Sequence, residues 1–284
     1  MTAAVAGTAV PARSWRSELR AARGVWRREV TRFLDDRLRI ATALIQPVLF
    51  LFVLAPGLES LAERSTDGVA LRTFMFPGVL CMAMWFSAMV SAASLVMDRE
   101  LGFLRELAVA PVRRSSIVLG KGAGAVTAAL VQGLILLALA GPAGVPYDPV
   151  LLAGLFGLQV LIAVAVTAFG IMVATVTSRA PTFNSVMQAL VFPVVFLSGA
   201  LYPVSGLPAW LGLVNRLDPL TYAVDPMRRL VFAHVDASDA ARAALAPPVT
   251  WWGWPVPVAL ELALVLALGA AMLAVAIRRF GRAG

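Results

Sequence analysis

The sequence predicts an all-α polytopic membrane protein with six transmembrane helices. Hydrophobic residues make up 60% of the chain and charged residues only 14%, whereas an average soluble domain carries about 25% charged residues. The charges are clustered, and six long apolar runs lie between the clusters. Each run has the ~17–25 residues that a membrane-crossing helix requires. A single bundle of membrane helices is therefore expected in place of one or two soluble domains.

The N-terminal residues 1–39 are predicted to form a short tail followed by an amphipathic helix on the cytoplasmic surface of the membrane. Residues 13–39 are dense in arginine. At 100° per residue, one helix face gathers an apolar stripe made of Trp15, Leu19, Ala22, Trp26, Val30 and Phe33. Such a helix lies in the interface, with its apolar face in the lipid. A plain basic tail is the alternative.

Residues 40–284 form the predicted transmembrane domain. Its six spans cover about residues 40–58, 74–97, 116–140, 150–177, 184–202 and 254–277. The orientation follows from the basic residues, which are enriched in the cytoplasmic loops of membrane proteins. With both termini in the cytoplasm, eighteen of the 24 Lys and Arg residues lie on the cytoplasmic side. The sequence therefore predicts a cytoplasmic N-terminus and a cytoplasmic C-terminus.

The segment between the fifth and sixth spans is predicted to carry two short helices on the outer side. It contains Asp218-Pro219 and Asp225-Pro226. Asp is a favoured N-cap residue and Pro a favoured first helical residue, so each pair is read as a helix start. Tryptophans flank the segment, as expected at a membrane interface.

A few polar side chains lie inside the predicted spans, and such residues are the default candidates for function in a membrane protein. Ser87 and Ser91 share a face of the second span, and Asn184 and Gln188 share a face of the fifth. These four are candidates for lining a translocation path, although helix–helix hydrogen bonds explain them equally well. Glu261 lies inside the sixth span and is read as a structural residue.

The chain lacks the motifs of the common catalytic and nucleotide sites. It has no G-x-x-x-x-G-K-[ST] phosphate loop, no H-E-x-x-H and no G-x-S-x-G. With one cysteine and one histidine, a metal site is not expected. The formal charge of +8 does not indicate nucleic-acid binding, because the basic residues border the apolar runs. We therefore expect no catalytic residue, no metal and no cofactor in this chain.

The loop between the second and third spans, residues 98–114, is the most informative segment. Phe103, Leu104 and Leu107 can share one face of a short helix that Pro111 would end. Such a helix can press apolar side chains into a groove of a partner while its charges set the register. A solvated loop with one turn along the membrane is the alternative.

This loop resembles the coupling loop of ABC-2 type exporter permeases. The matching residues are Asp98, Arg99, Glu100, Gly102, Leu104, Leu107, Pro111, Val112 and Arg114. A second resemblance runs from Phe196 to Pro203, from Leu207 to Leu211, and from Pro219 to Asp225. The similarity is greatest to the membrane subunits of daunorubicin-resistance-type multidrug exporters. One departure is Asp218, where that branch commonly has Asn.

The resemblance implies a bacterial inner-membrane protein that forms a homodimer, or pairs with a similar permease, and binds two separate ATPase subunits. ATP and Mg would bind to those ATPases and not to this chain. The residues expected to contact the ATPase are Asp98, Arg99, Glu100, Gly102, Phe103, Leu104, Arg105, Glu106, Leu107 and Pro111. The N-terminal helix is expected to contact it too.

The resulting expectation is an ATP-driven permease that moves a drug, a lipid or a lipid-linked glycan outward. A proton-coupled secondary transporter is one alternative, and an intramembrane enzyme is another. Glu261 is the main support for the former. The latter lacks clustered acids, a paired histidine or an activated serine. The sequence does not identify the substrate.

Overall fold

A computed structural model describes residues 15–59, 69–102, 114–204 and 208–282. Six of its helices are long and apolar enough to cross a membrane, namely Arg37–Glu59, Leu71–Glu100, Ser115–Leu137, Pro149–Val176, Ala180–Leu197 and Val258–Arg279. The predicted all-α polytopic fold class is therefore confirmed.

The helices are numbered here in chain order. They are α1 (Trp15–Asp35), α2 (Arg37–Leu49, extended by a π-helical turn at Phe50–Leu54), α3 (Leu71–Glu100), α4 (Arg114–Leu137), α5 (Pro149–Val176), α6 (Ala180–Leu197), α7 (Ala209–Leu217), α8 (Thr221–His234), α9 (Asp239–Leu245) and α10 (Val258–Arg282). A two-stranded antiparallel hairpin, β1 (Thr250–Trp251) and β2 (Trp254–Pro255), precedes α10.

Three span boundaries differ from the prediction by four or five residues. The fifth span begins at Ala180 instead of Asn184, because Pro181 suits the first turn of a helix. The fifth span ends at Leu197 instead of Tyr202, because the backbone turns at Gly199, whose φ of +70° favours glycine. The sixth span begins at Val258 instead of Trp254, because Trp254 pairs with Trp251 across the hairpin.

The centre of the bundle is α3. In its most apolar stretch, 72% of the residues are buried, against 17% in the span that contains α2. The helices α4, α5, α6 and α8 pack around α3. The helices α2, α6 and α10 leave most of their apolar surface exposed, as expected of helices that face lipid or another membrane protein.

The N-terminal helix α1 packs on the protein itself, along α4. Gly120 and Gly124 of α4 allow the close approach, since a Cβ on Gly120 would lie 2.5 Å from the Ala22 carbonyl oxygen. Trp26 donates its indole N–H to the Thr127 hydroxyl at 3.0 Å. The predicted apolar stripe is thus divided: its C-terminal part faces the protein, whereas Trp15 remains 68% exposed.

In the part that the structure describes, the segment between α6 and α10 contains three short helices, where the sequence predicted two. The first predicted start is close but displaced: Asp218 ends α7, and α8 begins at Thr221 with Leu220 before it. The Asp218 carboxylate accepts the Leu220 N–H at 2.9 Å in the turn between the two helices. The second predicted start is wrong, because Asp225-Pro226 lies inside α8. The Asp225 carboxylate does not cap a helix: it accepts from Arg229 and from the Val249 N–H. The first eight residues of α8 are buried against α3, α5 and α10.

Candidate functional site

The predicted coupling loop is described only at its two ends. Phe103, Leu104, Arg105, Glu106, Leu107 and Pro111 lie outside the described residues. Asp98, Arg99 and Glu100 form the last turn of α3, and Gly102 follows. The loop returns to the bundle at Arg114, where α4 begins.

A group of charged residues, all buried or nearly so except Arg28, lies at the point where α3 leads into the loop. We call it the Lys121 cluster, and it consists of Arg28, Glu29, Ser94, Asp98 and Lys121. The Lys121 ammonium is 2.5 Å from the Asp98 carboxylate and 3.4 Å from the Glu29 carboxylate, and it donates to the Ser94 hydroxyl at 3.4 Å. Arg28 is 3.1 Å from Glu29 and 3.4 Å from Asp98. The cluster therefore joins α1, α3 and α4.

Burial makes the Lys121 cluster rigid and sensitive to change. The Lys121 side chain is only 5% exposed and the Asp98 side chain 11%. Charges in such a place persist only when paired, since removing one partner leaves the other without compensation. The sequence predicted Asp98 to contact the ATPase, but its carboxylate pairs with Lys121 inside this chain. Lys121, Glu29 and Arg28 were missed, although Lys121 was noticeable as the only lysine.

Two further residues, Arg99 and Gly102, fix how α3 ends and how the chain enters the loop. The Arg99 guanidinium donates to the carbonyl oxygens of Thr175 and Thr177, which ties the end of α3 to the end of α5. Glu100 is exposed. Gly102 has a φ of +75°, a conformation that ends a helix and that other residues adopt only with strain. The chain is thus turned sharply into the loop.

On the other flank of the loop, α4 is held by α1. Ser116, in the first turn of α4, donates its hydroxyl to the Glu18 carboxylate at 2.6 Å. With the Lys121 cluster and Arg99, this contact fixes both ends of the loop to four helices. A displacement of the loop would therefore be carried to α1, α3, α4 and α5 together.

A polar pocket of about 300 Å³ opens beside the Lys121 cluster. It is lined by two of the four path candidates, Ser91 and Asn184, together with Lys121, Glu29 and Ser94. The other two candidates do not line it. Ser87 is buried inside the bundle, at 7% exposure, and Gln188 lies on the exposed surface of α6. The structure thus brings together one member of each predicted pair.

A second charged group, the Glu261 cluster, lies at the opposite end of the bundle and consists of Asp225, Arg229 and Glu261. Arg229 donates to Asp225 and, at 2.9 Å, to Glu261 of α10. Glu261 is 0% exposed. The sequence singled out Glu261 and left open that it pairs with an arginine of the outer segment, which Arg229 does; Asp225 was not identified as part of the group. The signal that could have found Asp225 is the Asp-x-x-x-Arg spacing, which places two opposite charges on one helix face.

Comparison with known proteins assigns the family. Residues 21–232 match the ABC-2 type transporter family. Nodulation protein J of Rhizobium leguminosarum bv. viciae is 30% identical over 210 residues, which cover 72% of this chain and 79% of that protein. The doxorubicin resistance ABC transporter permease DrrC of Mycobacterium tuberculosis (strain ATCC 25618 / H37Rv) is 26% identical over 246 residues, 85% of each chain. The transport permease ycf38 of Cyanophora paradoxa is 29% identical over 196 residues, 67% of each chain.

The family match includes both motifs that carried the resemblance in the sequence, the loop at residues 98–114 and the stretch from Phe196 to Asp225. The resemblance to this family is therefore confirmed. The chain belongs to the ABC-2 type transporter family, as a membrane-spanning permease subunit of an ABC transporter that works with an ABC ATPase subunit.

Proposed function

We propose that this permease exports a hydrophobic or amphipathic molecule across a bacterial inner membrane, with both of its termini in the cytoplasm. Two copies form a homodimer, and ATP and Mg bind to the separate ATPase subunits. This chain performs no covalent chemistry and holds no cofactor. Its part is to convert a movement of the ATPase into a movement of the membrane helices.

The Lys121 cluster carries this proposal. It lies at the root of the loop that the family uses for coupling, and it joins that loop to α1, α3 and α4 through buried ion pairs. It also borders the polar pocket that holds Ser91 and Asn184. A push on the loop from the ATPase thereby reaches a polar surface of the transmembrane domain. The loop supplies the contact and the cluster supplies the rigid link.

The outward direction and the substrate class are supported by the relatives and by the surface of the bundle. One relative is named for doxorubicin resistance, which fits the export of an apolar drug. The exposed apolar side chains of α2 and α6 include Ile45, Val53, Phe192 and Phe196. Such surfaces suit a second copy of the chain with an apolar path between the two copies. A lipid or a lipid-linked glycan fits the same path.

The test is a set of loop variants in the complete transporter, reconstituted with its ATPase. Phe103→Ala removes an apolar anchor, which in a protein interface costs about 2 kcal/mol or more. Glu100→Arg and Glu106→Arg reverse charges at the same contact. We expect weaker recovery of the ATPase with the permease, lower export for each ATP hydrolysed, and normal expression. Trp252→Ala, in the hairpin before α10 and 94% exposed, is the control. Normal export from all three loop variants would refute the coupling role.

The Glu261 cluster favours a second candidate, a proton-coupled transporter. One Glu261 carboxylate oxygen has no hydrogen-bond partner among the described residues, and Asp225 lies nearby. Arg229, however, pairs with both acids, which suits a structural ion pair. Transport in vesicles separates the two functions. Dependence on a proton gradient without ATP would support the second candidate, whereas dependence on ATP that survives a protonophore supports the exporter.

A further inference from the structure

The third span carries a buried glutamine, Gln132, that belongs neither to the Lys121 cluster nor to the polar pocket. Gln132 lies in α4 and is 2% exposed. Its side-chain amide donates to the Ala43 carbonyl oxygen of α2 at 3.0 Å. Polar side chains inside a spanning segment are the default candidates for function. A side chain that bonds to a mid-helix carbonyl also marks an irregular place in that helix, because a regular helix pairs its own carbonyl groups.

The irregularity in α2 comes from Pro47, which lies inside the helix. In a regular helix the Ala43 carbonyl would accept the N–H of residue 47. Proline has no N–H, and its ring clashes with the carbonyl group four residues before it. Gln132 therefore supplies the donor that the sequence of α2 lacks. A π-helical turn follows at Phe50–Leu54, and prolines and π-helical turns are the places where helices bend.

The rest of the contact between α2 and the bundle is small. In the most apolar stretch of the first span only 17% of the residues are buried, and α2 packs mainly on α1 and α3. Its buried residues are Pro47, Leu51 and Ala55, which share one narrow stripe because they are four residues apart. Hydrogen bonds between membrane helices are weak enough to break and form again. The part of α2 beyond Pro47 can therefore leave the bundle without losing a large interface.

Gln132 and Lys121 lie on the same face of α4. They are about three helical turns apart, or roughly 16 Å. Lys121 binds Glu29 of α1 and Asp98 at the root of the 98–114 loop. Gln132 binds α2, which follows α1 directly in the chain. A displacement of α4 by the loop is therefore applied to α2 at the Ala43 carbonyl.

We propose that Gln132 is a positioning residue, which holds the proline-containing helix α2 against the bundle and releases it when the ATPase displaces α4. Gln132, Ala43 and Pro47 together are called the Gln132 latch. Gln132 touches no substrate in this scheme and acts only through α2. The inference rests on the coupling role proposed for the 98–114 loop, because the loop supplies the displacement of α4.

A cysteine at Ala55 reports the state of the Gln132 latch. Ala55 is 0% exposed and lies close to the end of the first span, so a seated α2 shields the thiol and a released α2 exposes it near the membrane surface. The complete transporter, with Cys81→Ala and Ala55→Cys, is placed in nanodiscs. The rate of reaction with N-ethylmaleimide is measured by mass spectrometry, without nucleotide and with Mg and a non-hydrolysable ATP analogue. We expect the analogue to raise the rate about threefold.

Variants of the two latch helices test the hydrogen bond. Gln132→Met removes the donor at nearly constant volume, so the rate without nucleotide should be about threefold higher and the analogue should add little. Gln132→Met combined with Pro47→Ala gives the Ala43 carbonyl a backbone donor, so the rate should return to the slow value in both conditions. Gln159→Met is the matched control and should change neither rate, because this buried glutamine donates to Gly133 of α4 and not to α2.

An unchanged rate in Gln132→Met would overturn the latch. A rate that stays high in the double variant would overturn the role of the Ala43 carbonyl. If the loop variants lose export as expected but the analogue leaves the rate of the Ala55→Cys chain unchanged, the release of α2 is refuted.

The latch and the coupling role fail in different measurements. Phe103→Ala should abolish the response to the analogue, whereas the effect of Gln132→Met without nucleotide should remain. Normal export from the loop variants would refute the coupling role and leave that nucleotide-free effect in place. If Gln132→Met does not fold, Pro47→Ala alone decides the question, because a regular α2 should lose the response to the analogue. A response that persists in Pro47→Ala would overturn the latch.

Discussion

Lys121 is buried beside two carboxylates, and its position shows how one residue can hold three helices together. Asp98 belongs to α3 and Glu29 to α1. Without the Lys121 ammonium group, both carboxylates would lose their buried partner. Arg28 is a partner for both but is 40% exposed, so it is more screened by solvent than Lys121. The stability of this end of the bundle therefore depends mainly on the lysine.

We predict that Lys121→Met lowers the free energy of unfolding by about 3 kcal/mol, because it leaves buried carboxylates without their main partner. The melting temperature of the purified protein in detergent measures the effect. Lys121→Arg should retain much of the stability, since it keeps the charge. Removing both partners, in Lys121→Met with Asp98→Asn, should be less harmful than the sum of the single changes. Additive losses would show that the pair does not interact. Arg27→Ala, at an exposed position of α1, is the control.

Asp218 lies where the family pattern that the sequence resembles commonly has Asn, and the structure gives this difference a measurable consequence. One carboxylate oxygen accepts the Leu220 N–H, whereas the other is buried without a partner among the described residues. Burial raises the pKa of Asp218 to about 7, although the Leu220 N–H lowers it in part. The unfolded value is about 3.9. Folding therefore favours the protonated form, and stability is lost as the pH rises from about 4 through 7.

Asp218→Asn removes this titration while keeping an oxygen for the Leu220 N–H. We expect the variant to gain stability relative to the native chain as the pH rises, by about 4 kcal/mol between pH 4 and pH 8. Melting temperatures across that range, with Asp239→Asn as an exposed control, provide the measurement. A difference between variant and native chain that does not change with pH would contradict the assignment.

At the scale of elements, the contact between α1 and α4 depends on two glycines. A Cβ at Gly120 would meet the Ala22 carbonyl oxygen at 2.5 Å, and one at Gly124 would meet the Glu29 Cβ at 2.6 Å. Both neighbours belong to the helix backbone or lie close to it, so they cannot move aside without moving α1. The G-x-x-x-G spacing, a known packing device of membrane helices, here holds the N-terminal helix against the third span.

We predict that Gly120→Val displaces α1 from α4. A cysteine at Val25, which lies close to Gly120, should react faster with a soluble thiol reagent in that variant, in a background where Cys81 is replaced by Ala. The matched control is Gly157→Val, because a Cβ at Gly157 meets nothing within 4 Å. Equal rates of labelling in the two variants would argue against the packing role.

The sequence predicted the elements far better than their contacts. Long apolar runs specify spanning helices directly, because a bilayer requires every backbone polar group to be satisfied within the helix. The Asp-Pro rule is equally local. It missed the start of α8 by two residues at Asp218, and it failed at Asp225, whose carboxylate binds Arg229 instead. The pairing of Lys121 with Glu29 joins residues far apart in sequence, and no local pattern specifies it. The candidate site was therefore located only in part.

At the scale of the whole molecule, the basic residues predict which way the bundle faces. Single cysteines in the same Cys81→Ala background can report it. Asp239, whose side chain is fully exposed, lies in the segment between α6 and α10. Ser178 is exposed at the opposite end, between α5 and α6. In intact cells an impermeant thiol reagent should label Asp239→Cys but not Ser178→Cys, and both should react after lysis. The reverse pattern would invert the orientation.

The buried position of α8 also has a consequence for the order of assembly. α8 carries Asp225, Arg228 and Arg229, which makes it a poor substrate for the insertion machinery, since each charge at mid-membrane costs a few kcal/mol. In the folded protein α8 packs against α10, which comes later in the chain. It therefore cannot reach this position until α10 has been synthesised. Until then, Arg229 of α8 lacks its Glu261 partner. The last step in the maturation of this subunit is therefore the seating of α8, after all six spans have been inserted.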